Sequence, residues 1–145
     1  MKEKNELLLH VYKDCDMSVT TLTELLDDLK EKDNKIKEVV EDLLKEYQSF
    51  LNRSKESLVK EDIPLETEGI MTKMMANMGV SKEVKHDNSD SSIADLLIKG
   101  ISMGSIDMEK KLEDYKKEVE KGDLKFAKEF LKFQQNAIDK LKKFL

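Results

Sequence analysis

The sequence predicts an amphipathic helix about thirty residues long over Ser91–Lys121, SSIADLLIKGISMGSIDMEKKLEDYKKEVEK. Two glycines, Gly100 and Gly104, lie four residues apart on its apolar stripe. A glycine inside a helix costs about 0.5–1 kcal/mol relative to alanine. The pair therefore predicts that another helix packs closely against this one at the two glycines.

Three more long amphipathic helices are predicted from apolar residues that recur every three or four positions. Together the four helices cover about residues 4–30, 35–58, 92–121 and 123–145. The turns at 31–34 and 122–123 are so short that each must close a helical hairpin. Between the hairpins, a shorter amphipathic segment occupies residues 65–78. We therefore predict an all-α, antiparallel four-helix bundle in which a long connector with a short helix joins two hairpins.

The path of this connector is open at the level of sequence. It can cross the full length of the bundle, which makes the second and third helices parallel. It can also fold back, which gives a simple up-down-up-down order. A connector of some thirty residues in a compact chain favours the crossover form.

Composition and charge argue against several classes of protein. The formal net charge is −5 and Arg53 is the only arginine, which disfavours nucleic-acid binding. No run approaches the ~18 apolar residues that span a bilayer, and the N-terminal residues do not resemble a signal peptide. Cys15 is the only cysteine, so no internal disulfide forms and a reducing compartment fits. We expect a cytoplasmic protein that binds neither nucleic acid nor membranes.

Two long hairpins joined by a long connector resemble the ferritin and rubrerythrin superfamily. The segment SSIADLLIKGISMGSIDMEKKLEDY is also similar to the third helix of small bacterial ferritin-like bundles. In that superfamily the metal is held by glutamates and Glu-x-x-His pairs that project into the bundle. None of the four long helices contains Glu-x-x-His, and Gln134 and Ala137 occupy the spacing of such a pair. The resemblance therefore implies a ferritin-like bundle without the di-iron site, because an amide and a methyl group cannot neutralise two irons.

From these features we predict a non-enzymatic bundle with a structural or partner-binding role. The alternative is a ferritin-like metal protein that binds iron or manganese through Glu46, Asp107 and Gln134. The simpler interpretation of the two carboxylates is that they border the apolar stripes and face solvent. A third possibility is a small-ligand carrier with its cavity beside Gly100 and Gly104.

Two further features bear on partners. A methionine cluster in the connector could form an adaptable protein-binding surface or fill a gap at one end of the bundle: Met71, Met74, Met75 and Met78. With Met103 and Met108 it could also bind copper(I). A second set of apolar residues falls beside the main stripes and predicts a homodimer: Leu7, Leu9, Leu44, Leu51, Phe133 and Phe144.

The first helix carries three residues whose position can be predicted from the helical period. Cys15 lies on the apolar stripe and is expected to be a small core residue. Asp14 falls outside that stripe. His10 follows Glu6 by one turn on the predicted outer side, where a solvated histidine is preferred to a two-ligand metal site.

Overall fold

A computed structural model describes residues 2–65, 89–115, 117 and 121–145 of the chain. The helices within these residues are α1 (Lys2–Asp28), α2 (Lys37–Lys60), α3 (Asp90–Tyr115) and α4 (Lys121–Lys142). No strand occurs in this part of the chain, so the prediction of an all-α protein with four long helices is confirmed there. Apart from Leu65, the predicted short helix at 65–78 lies outside the described residues, and with it the four connector methionines.

The bounds of the last two helices differ from the prediction. α3 ends at Tyr115, and α4 already begins at Lys121, so Gly122 is inside α4 rather than between helices. A glycine that ends a helix usually adopts a positive φ. None of the described glycines has one, which explains why Gly122 does not act as a helix stop.

Residues early in α1 lie near residues late in α3, and residues later in α1 lie near residues early in α3. Near the start of α1, Glu6 Oε2 lies 3.6 Å from Lys111 Nζ in the second half of α3. Further along α1, Leu22 lines a groove together with Leu97, which is near the start of α3. The two helices therefore meet side by side over most of their length.

The ends of the connector are placed by contacts at opposite ends of the helices. At the start of α3, Asp90 Oδ1 accepts hydrogen bonds from Asn34 Nδ2 at 2.9 Å and from the backbone N–H of Ile36 at 3.4 Å. α2 and α3 therefore begin at the same end of the bundle. At the other end, Leu58 near the end of α2 packs with Leu8 of α1. The described end of α2 and the start of α3 therefore lie at opposite ends of the bundle.

A single large core is shared by all four helices. Between α2 and α4 it contains an aromatic cluster in which the Phe50 and Phe130 rings meet edge to face at 5.2 Å. Leu7, which we expected on a dimer surface, is instead fully buried in this core. α1 packs against three helices, so its buried surface is wider than one apolar stripe. None of the described helices combines the length and the apolar character needed to cross a bilayer.

Candidate functional site

A polar cluster lies inside the bundle where α1, α3 and α4 meet. Gln134 of α4 is fully buried, and its Nε2 donates a hydrogen bond to Asp14 Oδ2 at 2.9 Å. Ser18, one turn further along α1, donates from its hydroxyl to Asp14 Oδ1 at 3.1 Å. The prediction that Asp14 lies outside the inner face of α1 is therefore wrong. Its carboxylate has two protein donors and faces the bundle interior.

Gly104 makes room for this carboxylate. A Cβ atom built on Gly104 would lie 2.6 Å from Asp14 Oδ2 and 3.1 Å from Gln134 Nε2. Real Cβ atoms essentially never approach other atoms as closely as the first of these distances. The carboxylate occupies the space that any other side chain at position 104 would fill.

Gly100 has a different environment from Gly104. It is exposed, and a Cβ atom there would meet no atom of the described residues within 4 Å. The close helix packing that we expected at both glycines is therefore not found at Gly100. Gly100 has no side chain that could fill the space beside it, so a groove is open there between α1 and α3.

Tyr47 of α2 brings a hydroxyl group to the same cluster. The residue is 1% exposed, and its ring packs edge to face on Phe133 with the centroids 4.9 Å apart. Tyr47 Oη and Gln134 Oε1 are buried and have no hydrogen-bond partner among the described residues. An unsatisfied buried polar group costs about 1–3 kcal/mol. The cluster therefore retains unused hydrogen-bonding capacity at an energetic cost to the fold.

Burial is the largest cause of the pKa shifts in the polar cluster. Burial raises the pKa of the Asp14 carboxyl, although His10 and the hydrogen bonds from Ser18 and Gln134 oppose the shift. Burial likewise lowers the pKa of His10, against the attraction of Asp14, and Lys111 lowers it further. Burial and the charge of Asp14 raise the pKa of Tyr47, whereas the nearby side chains of Gln134 and Ser18 oppose the shift without forming a well-aligned hydrogen bond to the hydroxyl.

His10 does not lie on the outer side of α1 as predicted. It is only partly exposed and lines the groove between α1 and α3. Its neighbours in that groove include Asp107 and Lys111 of α3, and the backbone of Gly104 also acts on its pKa. The helical period places His10 one turn before Asp14, so both residues face α3.

The groove between α1 and α3 consists of two adjoining cavities of about 440 Å³ and about 300 Å³. Both are lined by four residues: Asp14, Met17, Gly100 and Met103. The larger cavity has charged walls that include Glu6, Lys13 and Asp107. The smaller one has mainly apolar walls and, where it meets the polar cluster, three polar lining residues: Ser18, Thr21 and Tyr47. We call this smaller cavity the apolar groove.

The three residues predicted as metal ligands do not share a site. Gln134 is bound to Asp14, and Asp107 is exposed at the edge of the α1–α3 groove. Glu46 is exposed in a different groove, between α2 and α4, where it lies near Phe133. Within the ranges that the structure describes, no group of three His, Cys, Asp or Glu side chains is placed to hold a metal ion.

The chain matches no protein-family model, no curated protein sequence and no solved structure with which it was compared. Its site must therefore be interpreted from its own geometry. The sequence places Gln134 on the inward face of α4, but it does not predict that Asp14 and Tyr47 lie beside it. The available signal was a polar amide on the inward face of α4, since a buried amide requires partners on the facing helices.

Proposed function

We propose that the protein is a non-enzymatic, antiparallel ferritin-like bundle that acts by binding, with the groove between α1 and α3 as its binding site. One observation carries this proposal: the groove is lined by Tyr47, a buried residue whose hydroxyl has no hydrogen-bond partner among the described residues. Binding sites typically combine apolar walls with a few well-placed polar groups. The apolar groove has this composition.

The chemistry of the cluster supports binding rather than catalysis. Gln134 is neutral at every accessible pH, and its Nε2 is used by Asp14. Cys15, the only thiol in the chain, is fully buried, and burial raises its pKa well above the usual range. A thiol held in its neutral form is a poor nucleophile. The free cysteine also fits a cytoplasmic location.

The placement of the helices supports the ferritin-like part of the proposal. α2 and α3 begin at one end, as the hydrogen bonds of Asp90 require, and a long connector joins the hairpins. At the bundle centre, where that superfamily uses metal-binding carboxylates, this chain has an amide donating to a single aspartate.

An iron or manganese protein with an atypical site is the second candidate. It is favoured by the position of Asp107, which shares a groove with His10 and Asp14 and acts on the pKa of both. Two oxygen ligands and one imidazole would suit either metal, but the three described side chains are not placed to hold one ion together, so binding would require them to move closer. Elemental analysis of protein purified without chelator separates the two candidates. Near-stoichiometric iron or manganese would support the second candidate and contradict the first.

The binding site itself can be tested without knowing the natural ligand. We expect fragments from a mixed library of amines, acids and neutral alcohols to shift the backbone amide signals of Gly100 and Gly104 in nitrogen-15 NMR spectra. In the variant Gly100→Trp the remaining signal of Gly104 should no longer shift, because the indole would fill the groove. Gly122→Trp is the matched control, since Gly122 also has free space but lies outside this groove. A library that leaves both glycine signals unchanged would contradict the proposal.

A further inference from the structure

We propose that the apolar groove binds a primary alkylamine, with its ammonium group between the Asp14 carboxylate and the Tyr47 hydroxyl. This inference rests on the proposed function and adds the chemical class of the ligand. It follows from two features that lie side by side: a wall of aliphatic side chains and a carboxylate next to an unused hydroxyl.

The walls of the groove select an apolar chain. Its volume is about 300 Å³, and six side chains form its hydrophobic lining: Met17, Leu22, Leu96, Leu97, Ile101 and Met103. Met103 is 70% exposed and flexible, so it can close over a bound chain. The amine of Lys99 also borders the groove, but it is engaged by Asp95 at 2.8 Å and is largely exposed. An alkyl chain therefore finds apolar contacts without displacing a buried charge.

The polar end of the groove selects a hydrogen-bond donor. Burial raises the pKa of Asp14, but a bound ammonium group favours the ionised form, in which a carboxylate can accept about four hydrogen bonds. Asp14 accepts one on each oxygen, from Ser18 and Gln134, and so retains acceptor capacity. Tyr47 Oη is buried and has no partner among the described residues, so it can accept a further bond once an ammonium group enters beside it. The three N–H donors of a primary ammonium group match these acceptors, whereas a tertiary amine offers only one donor.

The charge at this end of the groove also favours a cation. Asp14 is the only acidic side chain among the residues that line the apolar groove. In the adjoining cavity, Lys111 is paired with Glu6 at 3.6 Å, and burial keeps the pKa of His10 low, which favours its neutral form. Lys13 and Asp107 line that cavity as well and have opposite charges. A carboxylate ligand would instead place a second negative charge beside Asp14 in a partly buried site.

A set of four probes with the same six-carbon chain tests the class of ligand. We expect n-hexylamine to bind more tightly than hexan-1-ol, N,N-dimethylhexylamine or hexanoate in isothermal titration calorimetry at neutral pH. Affinity should rise about fourfold for each methylene added from butylamine to hexylamine, because the chain enters an apolar groove. A series without this chain-length dependence would contradict the placement of the chain.

Three variants test the geometry. Asp14→Asn should weaken hexylamine binding at least about tenfold, since a hydrogen bond to a charged group is lost. Tyr47→Phe should weaken it about three- to tenfold while the melting temperature stays the same or rises, because only an unsatisfied hydroxyl is removed. Gly100→Trp should abolish binding, and Gly122→Trp should leave it unchanged.

The outcomes separate this inference from the proposed function. If hexan-1-ol binds as tightly as hexylamine and Asp14→Asn has no effect, the amine class is wrong while the groove remains a binding site. Tighter binding of hexanoate would overturn the amine class in the same way. If none of the four probes binds and no library fragment shifts the Gly100 signal, both proposals fail.

Discussion

Replacing each of the two glycines of α3 by alanine should change stability in opposite directions. At Gly100 a new methyl group would enter free space, whereas at Gly104 it would lie 2.6 Å from Asp14 Oδ2. Both residues lie inside the same helix, so the intrinsic gain from removing a helical glycine is the same. The difference between the two variants therefore measures the tertiary contact.

The expected magnitudes follow from the surroundings of each glycine. Gly100→Ala should stabilise the fold by about 0.5–1 kcal/mol, which raises the melting temperature of a chain of this length by about 2–3 °C. Gly104→Ala has the same helical gain but forces Asp14 away from Gln134. Loss of a hydrogen bond to a charged group costs about 1.5–3 kcal/mol. The net loss should be about 1–2 kcal/mol, or a fall of about 3–7 °C.

Thermal unfolding followed by circular dichroism at neutral pH measures both shifts. Asp14→Ala combined with Gly104→Ala provides the control, because the methyl group then meets no carboxylate. We expect the second substitution to be tolerated in that background, with a coupling energy of about 1–2 kcal/mol in the double-mutant cycle. A Gly104→Ala variant as stable as Gly100→Ala would refute the proposed contact between Gly104 and Asp14.

Three further predictions concern other parts of the molecule. Burial lowers the pKa of folded His10 below 6.5, so the contribution of His10 to stability should increase as the pH rises towards 6.5 and level off above it. Because the raised pKa of Asp14 has the opposite effect, the contribution of His10 is measured as the difference between the wild type and His10→Gln in urea unfolding at each pH. A difference that does not change with pH would contradict the assigned burial. Asp90→Ala should destabilise the protein by about 1–2 kcal/mol, since it removes the acceptor for Asn34 and Ile36. The exposed Asp95→Ala should cost less than about 0.5 kcal/mol. Equal losses would contradict a stabilising role of the Asp90 hydrogen bonds. The predicted homodimer should give twice the 16.8 kDa chain mass in light scattering at micromolar concentration, and a strictly monomeric mass would refute it.

Much of the candidate site could not be predicted from the sequence, and Asp14 shows why. A helical period identifies the face that packs against one partner, and Asp14 lies off that face. α1 contacts α2, α3 and α4, so a second face is also buried. Whether a polar residue on that second face is buried depends on the neighbours it meets. Here those neighbours are the amide of Gln134 and the bare backbone of Gly104.

Gly100 and Gly104 also differ in a way that the tertiary structure specifies and the sequence does not. From the sequence they are equivalent, since they share a helix and lie one turn apart. Only the arrangement of α1 against α3 makes Gly104 a point of contact and Gly100 the edge of a groove. Tyr47 is comparable, because its place in the apolar stripe of α2 predicts burial but does not predict an unpartnered hydroxyl.

The number of long helices and their approximate lengths were determined by the sequence alone, because apolar spacing is a local property of each helix. That α2 and α3 begin at the same end of the bundle required the tertiary structure, since a long connector can reach either end. The polar cluster also required it. The hydrogen bond between Asp14 and Gln134, which are 120 residues apart, depends on which helix faces meet, and no local pattern specifies that.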